Sequence, residues 1–313
     1  MPPLKNCWYL TGPTSSGKSP LALAVAQRLN AEIISMDSMA IYSGMDIGTA
    51  KPTVEQRLTI PHHQLDIVQP TEMFSAATYI TSTHKIAEEI RSRGRNILVC
   101  GGTPLYLKSL LRGFFVGPEP DWAFREAIQE DIARLGNSVL RERLMQVDPL
   151  LAHKLHPNDS RRMIRALEVA RVTGRPLSHW QEQFECPARV EDCPCLVLKL
   201  DRPWLHQLIN ERVQRMVDLG LESEVVGLQS KYGRLSRTAS QAVGYKEMLA
   251  RLENGIGLNE TIELIRAHTR QFARRQEIWF RGLDELQPLV MPVGTSPLDL
   301  TEQAVAFFAA YRW

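Results

Sequence analysis

The sequence predicts an α/β protein in which a parallel β-sheet is flanked by helices, interrupted by an inserted all-helical subdomain and followed by a helical C-terminal part. Three observations lead to this prediction. In the first third of the chain, short apolar runs alternate with amphipathic helical patterns, which is typical of a parallel sheet covered on both faces. After the turn-rich segment 117–121, only helical periodicity is present until about Glu185. The apolar run 196–200 then restores a strand pattern, and long helices dominate from Pro203 onward.

The elements of the first third follow from the period of their apolar residues. Short apolar runs predict strands at 7–11, 32–36 and 96–100, and a period near that of the α-helix predicts helices at 18–29 and 78–93. The second helix is expected to end at Gly94, because glycine readily adopts the left-handed conformation found just after helices. Each helix would thus connect two neighbouring parallel strands.

These changes of pattern also predict the domain organisation. Residues 1–116 would form the first segment of the core, 117–190 a helical insertion, and 191–313 the second core segment with its helical C-terminus. The chain is longer than a typical single domain. Because the strand pattern returns after the insertion, the sheet is expected to draw its strands from two separate stretches of chain.

Composition excludes several classes of protein. With 44% hydrophobic and 23% charged residues, the chain is unlike disordered, collagen-like or disulfide-scaffold proteins. No apolar run approaches the ~18 residues that span a bilayer, so we expect no membrane partner and a cytoplasmic location. Five cysteines without framework spacing indicate reduced thiols. A net charge of +2 neither requires nor excludes nucleic acid.

The strongest motif lies between the first strand and the first helix. It consists of Gly12, Pro13, Thr14, Ser15, Ser16, Gly17, Lys18 and Ser19 and matches the pattern of a P-loop. In such a loop, backbone N–H groups and the helix N-terminus surround phosphate oxygens. Lys18 would neutralise those oxygens, and the Ser19 hydroxyl would coordinate Mg²⁺ as the cofactor. The motif therefore predicts a P-loop NTPase-like core, the alternative being a glycine-rich turn without a ligand.

Polar side chains also follow two other predicted strands. Ligands of open α/β sheets bind beyond the carboxyl ends of the strands, where Asp37 and Thr103 would lie near the P-loop. Asp37 is a candidate general base or Mg²⁺ partner, although either residue could instead cap a helix. The third strand ends in Gly101-Gly102-Thr103, without the aspartate typical of P-loop NTPases. This absence disfavours an ATPase or kinase and leaves room for a ligand with two phosphates.

Arginines are concentrated on two predicted helices. One carries Arg161, Arg162, Arg165, Arg171 and Arg175, and the other carries Arg266, Arg270 and Arg274 at intervals of four. On the second helix, Ile265, Phe272 and Trp279 are predicted to form the opposite, buried face. The arginines predict a nucleic-acid-binding surface, and a merely solvated helix face is the alternative.

Taken together, several strings resemble the successive signatures of bacterial tRNA dimethylallyltransferases. Besides the P-loop, they are 37–42, 44–52, 61–63, 101–106, 156–159, 161–168, 241–247, 269–276 and 279–281. They occur in order from about residue 8 to residue 282. Pro20 and Glu277 depart from the pattern usual for that family.

The resemblance implies a P-loop core interrupted by a mobile helical insertion, and transfer of a dimethylallyl group from dimethylallyl diphosphate to N6 of the adenosine immediately 3′ of a tRNA anticodon. By similarity, Thr14 to Ser19 hold the diphosphate and the catalytic residues are Lys18, Asp37 and Thr103. Asp37 would take the N6 proton, and Thr103 would contact the target nucleotide. Contacts to tRNA, through its anticodon stem-loop, are implied for Asp37, Ser38, Met39, Ala40, Thr103, Arg125, Arg161, Arg162, Met163, Ile164 and Arg165. The protein is expected to act as a monomer.

Three other functions compete with this interpretation. An adenylate isopentenyltransferase would use a free nucleotide, for which the helical insertion and its arginines would be superfluous. A P-loop small-molecule kinase is disfavoured by the missing strand-end aspartate. A non-catalytic RNA-binding nucleotide switch would not need Asp37 or Thr103.

Overall fold

The computed structural model describes residues 1–182, 186–311 and 313. A six-stranded sheet forms the centre of the fold, with every neighbouring pair of strands parallel. Its strands are β1 (Trp8–Thr11), β2 (Ala31–Ser35), β3 (His62–His63), β4 (Asn96–Cys100), β5 (Cys195–Leu200) and β6 (Leu286–Met291), in the spatial order β3-β2-β4-β1-β5-β6. The predicted α/β class is confirmed.

The helices are distributed along the chain between and after these strands. They are α1 (Lys18–Arg28), α2 (Val54–Thr59), α3 (Ala76–Ser92), α4 (Pro104–Arg112), α5 (Trp122–Leu135), α6 (Ser138–Val147), α7 (Pro149–Lys154), α8 (Ser160–Thr173), α9 (Leu177–Trp180), α10 (Arg202–Asp218), α11 (Leu221–Tyr232), α12 (Tyr245–Asn254), α13 (Leu258–Arg281) and α14 (Thr301–Ala309). Within the described ranges, no helix has the length and apolar character needed to cross a membrane.

The chain folds as two compact units. The sheet unit comprises Pro3–Leu111 and Pro187–Trp313, and the helical unit comprises Met1–Pro2 and Arg112–Cys186. The helical unit starts and ends earlier in the chain than the insertion predicted at 117–190. The predicted helical pattern reached Glu185, which lies outside the described residues.

In the sheet unit, β1 is the central strand and carries the P-loop at its end. It pairs with β4 on one side and β5 on the other, and all its side chains are buried. Trp8 packs against Phe308 of α14 with ring centroids 5.8 Å apart, and Leu21 and Val25 of α1 join the same apolar cluster. Burial on all sides fixes the position of β1 and therefore of the P-loop that follows it.

Two strands and one helix face differ from the sequence prediction. β6 was missed because Pro288 interrupts its apolar pattern, but a proline is tolerated on an edge strand, where its missing N–H breaks no ladder. The two-residue β3 is too short to give a periodic signal. On α13, Phe280 is buried whereas Trp279 is 37% exposed. An α-helix drifts by about 20° per seven residues, so Trp279, two heptads after Ile265, lies about 40° from it around the helix axis and outside the buried face.

The helical unit has an apolar core of its own. Leu140 and Leu144 of α6 pack with Met163 and other buried residues of α8. The buried Asp148 carboxylate accepts hydrogen bonds from the N–H groups of Leu151 and Ser178, which caps α7 and ties it to α9. This unit therefore has an apolar core of its own, and Asp148 fixes two of its helices relative to each other.

Candidate active site

The P-loop connects β1 to α1 through two glycines with positive φ. Gly12 has φ +154° and Gly17 has φ +82°, and a Cβ on Gly17 would lie 2.1 Å from Pro297 Cγ. α1 begins after Gly17 without a side-chain cap, so its first N–H groups have no side-chain partner at the helix N-terminus. Glycine geometry and uncapped N–H groups together make this turn a ready site for an anion.

The P-loop opens into a cavity of about 380 Å³ in the sheet unit. Its walls include the three predicted catalytic residues, the predicted Mg²⁺ ligand and one arginine that sequence reasoning missed: Lys18, Asp37, Thr103, Ser19 and Arg212. The structure thus brings together groups from the ends of three neighbouring strands and from α10. Their roles stay predictions, but their proximity is a property of the fold.

Two cations face the P-loop within this cavity. Lys18 Nζ donates to the carbonyl of Pro13 at 2.7 Å, and burial lowers the pKa of its ammonium to about 8. Arg212 donates to Thr14 Oγ1 at 2.9 Å and lies 3.5 Å from the carbonyl oxygen of Thr49. Burial also lowers the pKa of Arg212, against the attraction of Asp37, but a guanidinium remains charged at neutral pH. A diphosphate bound at the P-loop would meet both charges.

Asp37 follows β2 and closes a turn rather than a helix. Its Oδ1 accepts the N–H groups of Met39 at 2.8 Å and Ala40 at 3.3 Å. No helix starts there in the described chain, so the helix-cap alternative is wrong. Among the described residues, Oδ2 has no hydrogen-bond donor. One oxygen therefore fixes the carboxylate, and the other is available to accept a proton.

Thr103 lies directly before α4, and its hydroxyl is turned towards the Asp37 segment. Thr103 Oγ1 accepts the N–H of Ser38 at 3.1 Å, while the Thr103 N–H donates to the carbonyl of Met36 at 3.2 Å. The carbonyl of Thr103 accepts the N–H of Leu107 at 3.1 Å at the start of α4. The neighbouring Gly101 permits this close approach of strand ends, because a Cβ there would lie 2.1 Å from Met36 O.

The cavity wall at 46–50 is held by a carboxylate from α11. Glu224 accepts the N–H groups of Asp46 at 3.0 Å and Ile47 at 2.8 Å, and the hydroxyl of Tyr245 at 2.5 Å. The Tyr245 ring lies against Gly48, where a Cβ would be 2.3 Å from it. Consecutive N–H groups form an anion-binding concavity. Glu224 fills this concavity and so fixes the wall of the cavity.

The predicted tRNA contacts of the helical unit differ in accessibility. Arg161 and Arg162 of α8 are exposed, whereas Met163 and Ile164 are buried in the core of the unit. Contact with tRNA through side chains is therefore open to the arginines of this stretch and not to its two apolar residues. Among the described residues, Arg162 has one ion pair, to Asp159 at 3.2 Å.

Arg125 and Arg165 are held by the buried carboxylate of Glu168. Arg125 donates to it through Nε at 2.8 Å and Nη2 at 2.9 Å, and Arg165 donates through Nη1 at 2.5 Å. The Asp121 N–H adds a bond of 2.8 Å, and Arg165 also donates to the carbonyl of Pro118. These contacts join α5, α8 and the segment before α5. Both arginines thus have a structural task inside the helical unit.

Glu168→Gln is expected to lower the free energy of unfolding by about 3 kcal/mol at neutral pH, because the two arginines lose a buried counter-charge. Burial would raise the pKa of Glu168, but hydrogen bonds from Arg125 and Arg165 outweigh it and hold that pKa below its usual value of 4.5. As the pH falls below 4.5, the unfolded carboxyl binds a proton first. The wild-type advantage should therefore decrease there. Urea unfolding at neutral and acidic pH tests the stability loss and its pH dependence, with exposed Glu126→Gln as the control. Equal stability of Glu168→Gln and Glu126→Gln at neutral pH would contradict the prediction.

The arginine stripe on α13 is partly used for packing between helices. Arg266 donates to Gln214 at 3.0 Å, and Arg270 donates to Asn210 at 2.7 Å, both on α10. Arg274 is exposed. Two of the three arginines therefore stabilise the contact between α13 and α10, which the stripe alone did not predict.

Comparison with known proteins gives consistent matches over most of the chain. The sequence model described as IPP transferase matches residues 40–283. A tRNA dimethylallyltransferase of Rhodopirellula baltica is 48% identical, over 90% of this chain and 86% of that protein. One from Geobacter sulfurreducens is 43% identical, over 87% of this chain and 88% of that protein.

Solved structures show the same similarity. The full-length tRNA isopentenylpyrophosphate transferase of Bacillus halodurans is 33% identical with a TM-score of 0.70, covering 98% of this chain and 97% of that one. A eukaryotic dimethylallyltransferase whose structures describe it acting on tRNA is 27% identical with a TM-score of 0.82, covering 98% of this chain and 80% of that one.

Proposed function

This chain belongs to the IPP transferase family, and from that premise we propose that it transfers the dimethylallyl group of dimethylallyl diphosphate to N6 of the adenosine immediately 3′ of a tRNA anticodon, releasing diphosphate. One structural observation supports the proposal independently of family membership. A single cavity contains a phosphate-binding loop and, at the neighbouring strand end, a carboxylate with one free oxygen. The cavity thus provides for both a diphosphate leaving group and an amine that must lose a proton.

On the donor side, the site would bind the diphosphate and stabilise its developing charge. The N–H groups at the start of α1 and the Lys18 ammonium would bind the phosphate oxygens. Arg212 adds a second, half-buried charge beside Thr14. Breaking the bond between the dimethylallyl carbon and oxygen leaves negative charge on the diphosphate, and fixed cations beside it would lower the energy of that transition state.

On the acceptor side, the exocyclic amine of adenine is a weak nucleophile and must lose a proton as the new carbon–nitrogen bond forms. Oδ2 of Asp37 would accept that proton, since Oδ1 is engaged by the N–H groups of Met39 and Ala40. The Thr103 hydroxyl accepts the N–H of Ser38, and its own proton would be donated to the bound nucleotide. A base in a tRNA loop would have to leave its stack to enter this cavity.

Mg²⁺ fits the site as a partner of the diphosphate rather than of a protein cage. No group of three or more His, Cys, Asp or Glu side chains is placed to hold a metal ion in the part of the chain that the structure describes. Mg²⁺ commonly takes one or two protein oxygens together with phosphate oxygens and waters. The exposed Ser19 hydroxyl in the cavity wall would supply the protein oxygen. The ion would neutralise charge on the leaving diphosphate.

The same proposal includes a tRNA anticodon stem-loop as the partner, a cytoplasmic location and a monomeric protein. Arg161 and Arg162 supply exposed positive charge for the backbone of an anticodon stem-loop. Free thiols at all five cysteines support action in a reducing compartment, such as the cytoplasm. Size-exclusion chromatography with light scattering would test the monomeric state.

Incubation with dimethylallyl diphosphate, Mg²⁺ and an anticodon stem-loop tests the function directly. We expect mass spectrometry to show a gain of one isoprenyl unit, which is abolished when the target adenosine is replaced. Prenylation of free AMP but not of the stem-loop would instead indicate an adenylate isopentenyltransferase. ATP consumption stimulated by a metabolite would indicate a kinase.

The affinity for the diphosphate donor is expected to fall as the pH rises above 8. The pKa of Lys18 is lowered from 10.5 to about 8, so the ammonium is charged at neutral pH and loses its proton above it. Well above pH 8, kcat/KM should fall by about tenfold per pH unit, because one proton is lost. Initial rates from pH 6 to 9.5 measure the profile. Lys18→Arg should remove this decrease, and a wild-type profile that stays flat to pH 9.5 would rule out the role of Lys18.

A further inference from the structure

Gln276 of α13 joins the P-loop to the loop that follows β4. The residue is 2% exposed. Its Oε1 accepts the N–H of Thr14 at 2.8 Å, and its Nε2 donates to the carbonyl of Gly102 at 2.6 Å. The partners fix the orientation of the carboxamide, because a backbone N–H can only donate and a carbonyl oxygen can only accept. One buried side chain therefore holds two backbone segments that follow different strands.

This link lies just past the point where β1 and β4 end. Near their ends the two strands are joined by the N–H of Gly101, which donates to the carbonyl of Leu10 at 3.2 Å, and by Thr11 Oγ1, which donates to the carbonyl of Gly101 at 2.8 Å. β1 ends at Thr11 and β4 at Cys100. A carboxamide carries the same donor and acceptor as a peptide group. Gln276 can therefore bond to both loops as a neighbouring strand would.

The Thr14 N–H belongs to the same peptide group as the carbonyl of Pro13. Lys18 Nζ donates to that carbonyl at 2.7 Å. Because a peptide group is planar and rigid, a bond that fixes its N–H also fixes the direction of its carbonyl. Thr14 is in addition the P-loop partner of Arg212, which donates to its Oγ1 at 2.9 Å. Both cations of the donor side are thus bonded to the two residues whose shared peptide group Gln276 holds.

We propose that Gln276 is a positioning residue that fixes the peptide group between Pro13 and Thr14 and, through it, the two cations of the donor side. This inference rests on the proposed function, because it assigns to Gln276 the preorganisation of charges that would stabilise the leaving diphosphate. Charges held in place beforehand lower a barrier because they need no reorganisation during the reaction. Gln276 would act through the backbone of the P-loop and not by contact with the reacting atoms.

A role in folding alone is the competing explanation, since a buried polar side chain needs partners wherever it lies. The two explanations differ in what they predict for Lys18. Burial lowers the pKa of its ammonium to about 8, and Cys100 of β4, Arg212 of α10 and Asp37 after β2 also act on it. These three groups remain when Gln276 is replaced. If Gln276 holds the ammonium in place, its loss should let the ammonium reach water and return its pKa towards 10.5.

Gln276→Met tests the proposal in the intact protein, because methionine is similar in length and uncharged but forms neither hydrogen bond. The affinity for inorganic diphosphate with Mg²⁺, measured by calorimetry at pH 7, should fall about tenfold, as expected when a buried hydrogen bond is lost. The ratio of wild-type to variant affinity should then decrease above pH 8, since Lys18 loses its proton first in the wild type. Parallel titrations cancel the ionisation of the probe. Exposed Gln271 on the same helix provides the control, because Gln271→Met should match the wild type at every pH.

Hydrogen exchange at the Thr14 amide gives a second measurement, which needs no variant. In the wild type this amide should exchange slowly, because a buried, bonded N–H exchanges only when its contact opens. Exchange as fast as that of a free loop amide would overturn the proposal, whether or not Gln276→Met folds.

The calorimetry can also contradict the proposal. Equal diphosphate affinity in the wild type and Gln276→Met would overturn it. An affinity ratio that stays constant from pH 7 to 9.5 would do the same, because that is the result of a role in folding alone. If the wild type transfers the isoprenyl group and either result is found, the inference fails and the proposed function stands. A wild type that binds no diphosphate removes both.

Discussion

Replacing Asp37 with asparagine is expected to lower the rate of dimethylallyl transfer by about 10²–10⁴-fold, the usual contribution of a general base. The change is conservative in structure. An asparagine Oδ1 can still accept the N–H groups of Met39 and Ala40, so the turn after β2 should persist. The oxygen that would accept the N6 proton is replaced by an NH₂ group, which cannot. Single-turnover rates with a saturating anticodon stem-loop measure the effect.

Donor binding and thermal stability are the controls for Asp37→Asn. Both should remain close to wild type, because the substitution keeps the shape and the backbone contacts of the side chain. Asp37→Ala, which also loses the turn, should reduce stability in addition to the rate. Wild-type single-turnover rates in Asp37→Asn would show that the proton goes elsewhere.

Arg212→Ala is expected to lower kcat/KM for dimethylallyl diphosphate by about 10²–10³-fold, comparable to the loss of one preorganised charge-stabilising group. Arg212 is half-buried, donates to Thr14 in the P-loop and reaches the cavity wall at Thr49. Its removal would therefore take away a charge proposed to face the diphosphate, together with a contact to the P-loop. Steady-state kinetics with varied donor concentration measure this loss.

Arg215 lies on the same helix, is exposed and provides a matched control. Arg215→Ala should change kcat/KM little, since exposed charges are screened by solvent. Arg212→Lys keeps the charge but loses the planar fork of donors, so its activity should lie between alanine and wild type. If Arg212→Ala and Arg215→Ala had the same small effect, Arg212 would not act on the diphosphate.

The parts of the site that the sequence could predict are those specified by neighbouring residues. The P-loop is continuous in the chain, and its glycines, lysine and serine each have a role that depends on local backbone geometry. Asp37 and Thr103 were found because strand ends in a parallel sheet meet at one edge. The local sequence could not decide whether Asp37 is a helix N-cap or a candidate general base, because the N-cap role requires that a helix follows it.

Arg212 and Gln276 were missed because their roles depend on how two helices pack on the cavity. A signal was nonetheless present. The buried face of α13 runs through Ile265, Thr269, Ala273 and Phe280, and Gln276 stands in that series as a polar residue at a core position. Arg212 similarly directly precedes the buried Val213 of α10. A polar residue at such a position needs a buried partner, but only the fold shows that the partner of Gln276 is the P-loop.

The hydrogen bond between Thr14 and Gln276 joins residues 262 positions apart. During synthesis, chains emerge and fold from the N-terminus, so the P-loop leaves the ribosome long before its partner helix exists. β1 must likewise wait for β5, which follows the whole helical unit in the chain. Contacts of such long separation make folding slow, because the loop entropy is lost before the contact forms. The phosphate-binding motif is thus among the first parts of this protein to be made, and the site that contains it is among the last to be completed.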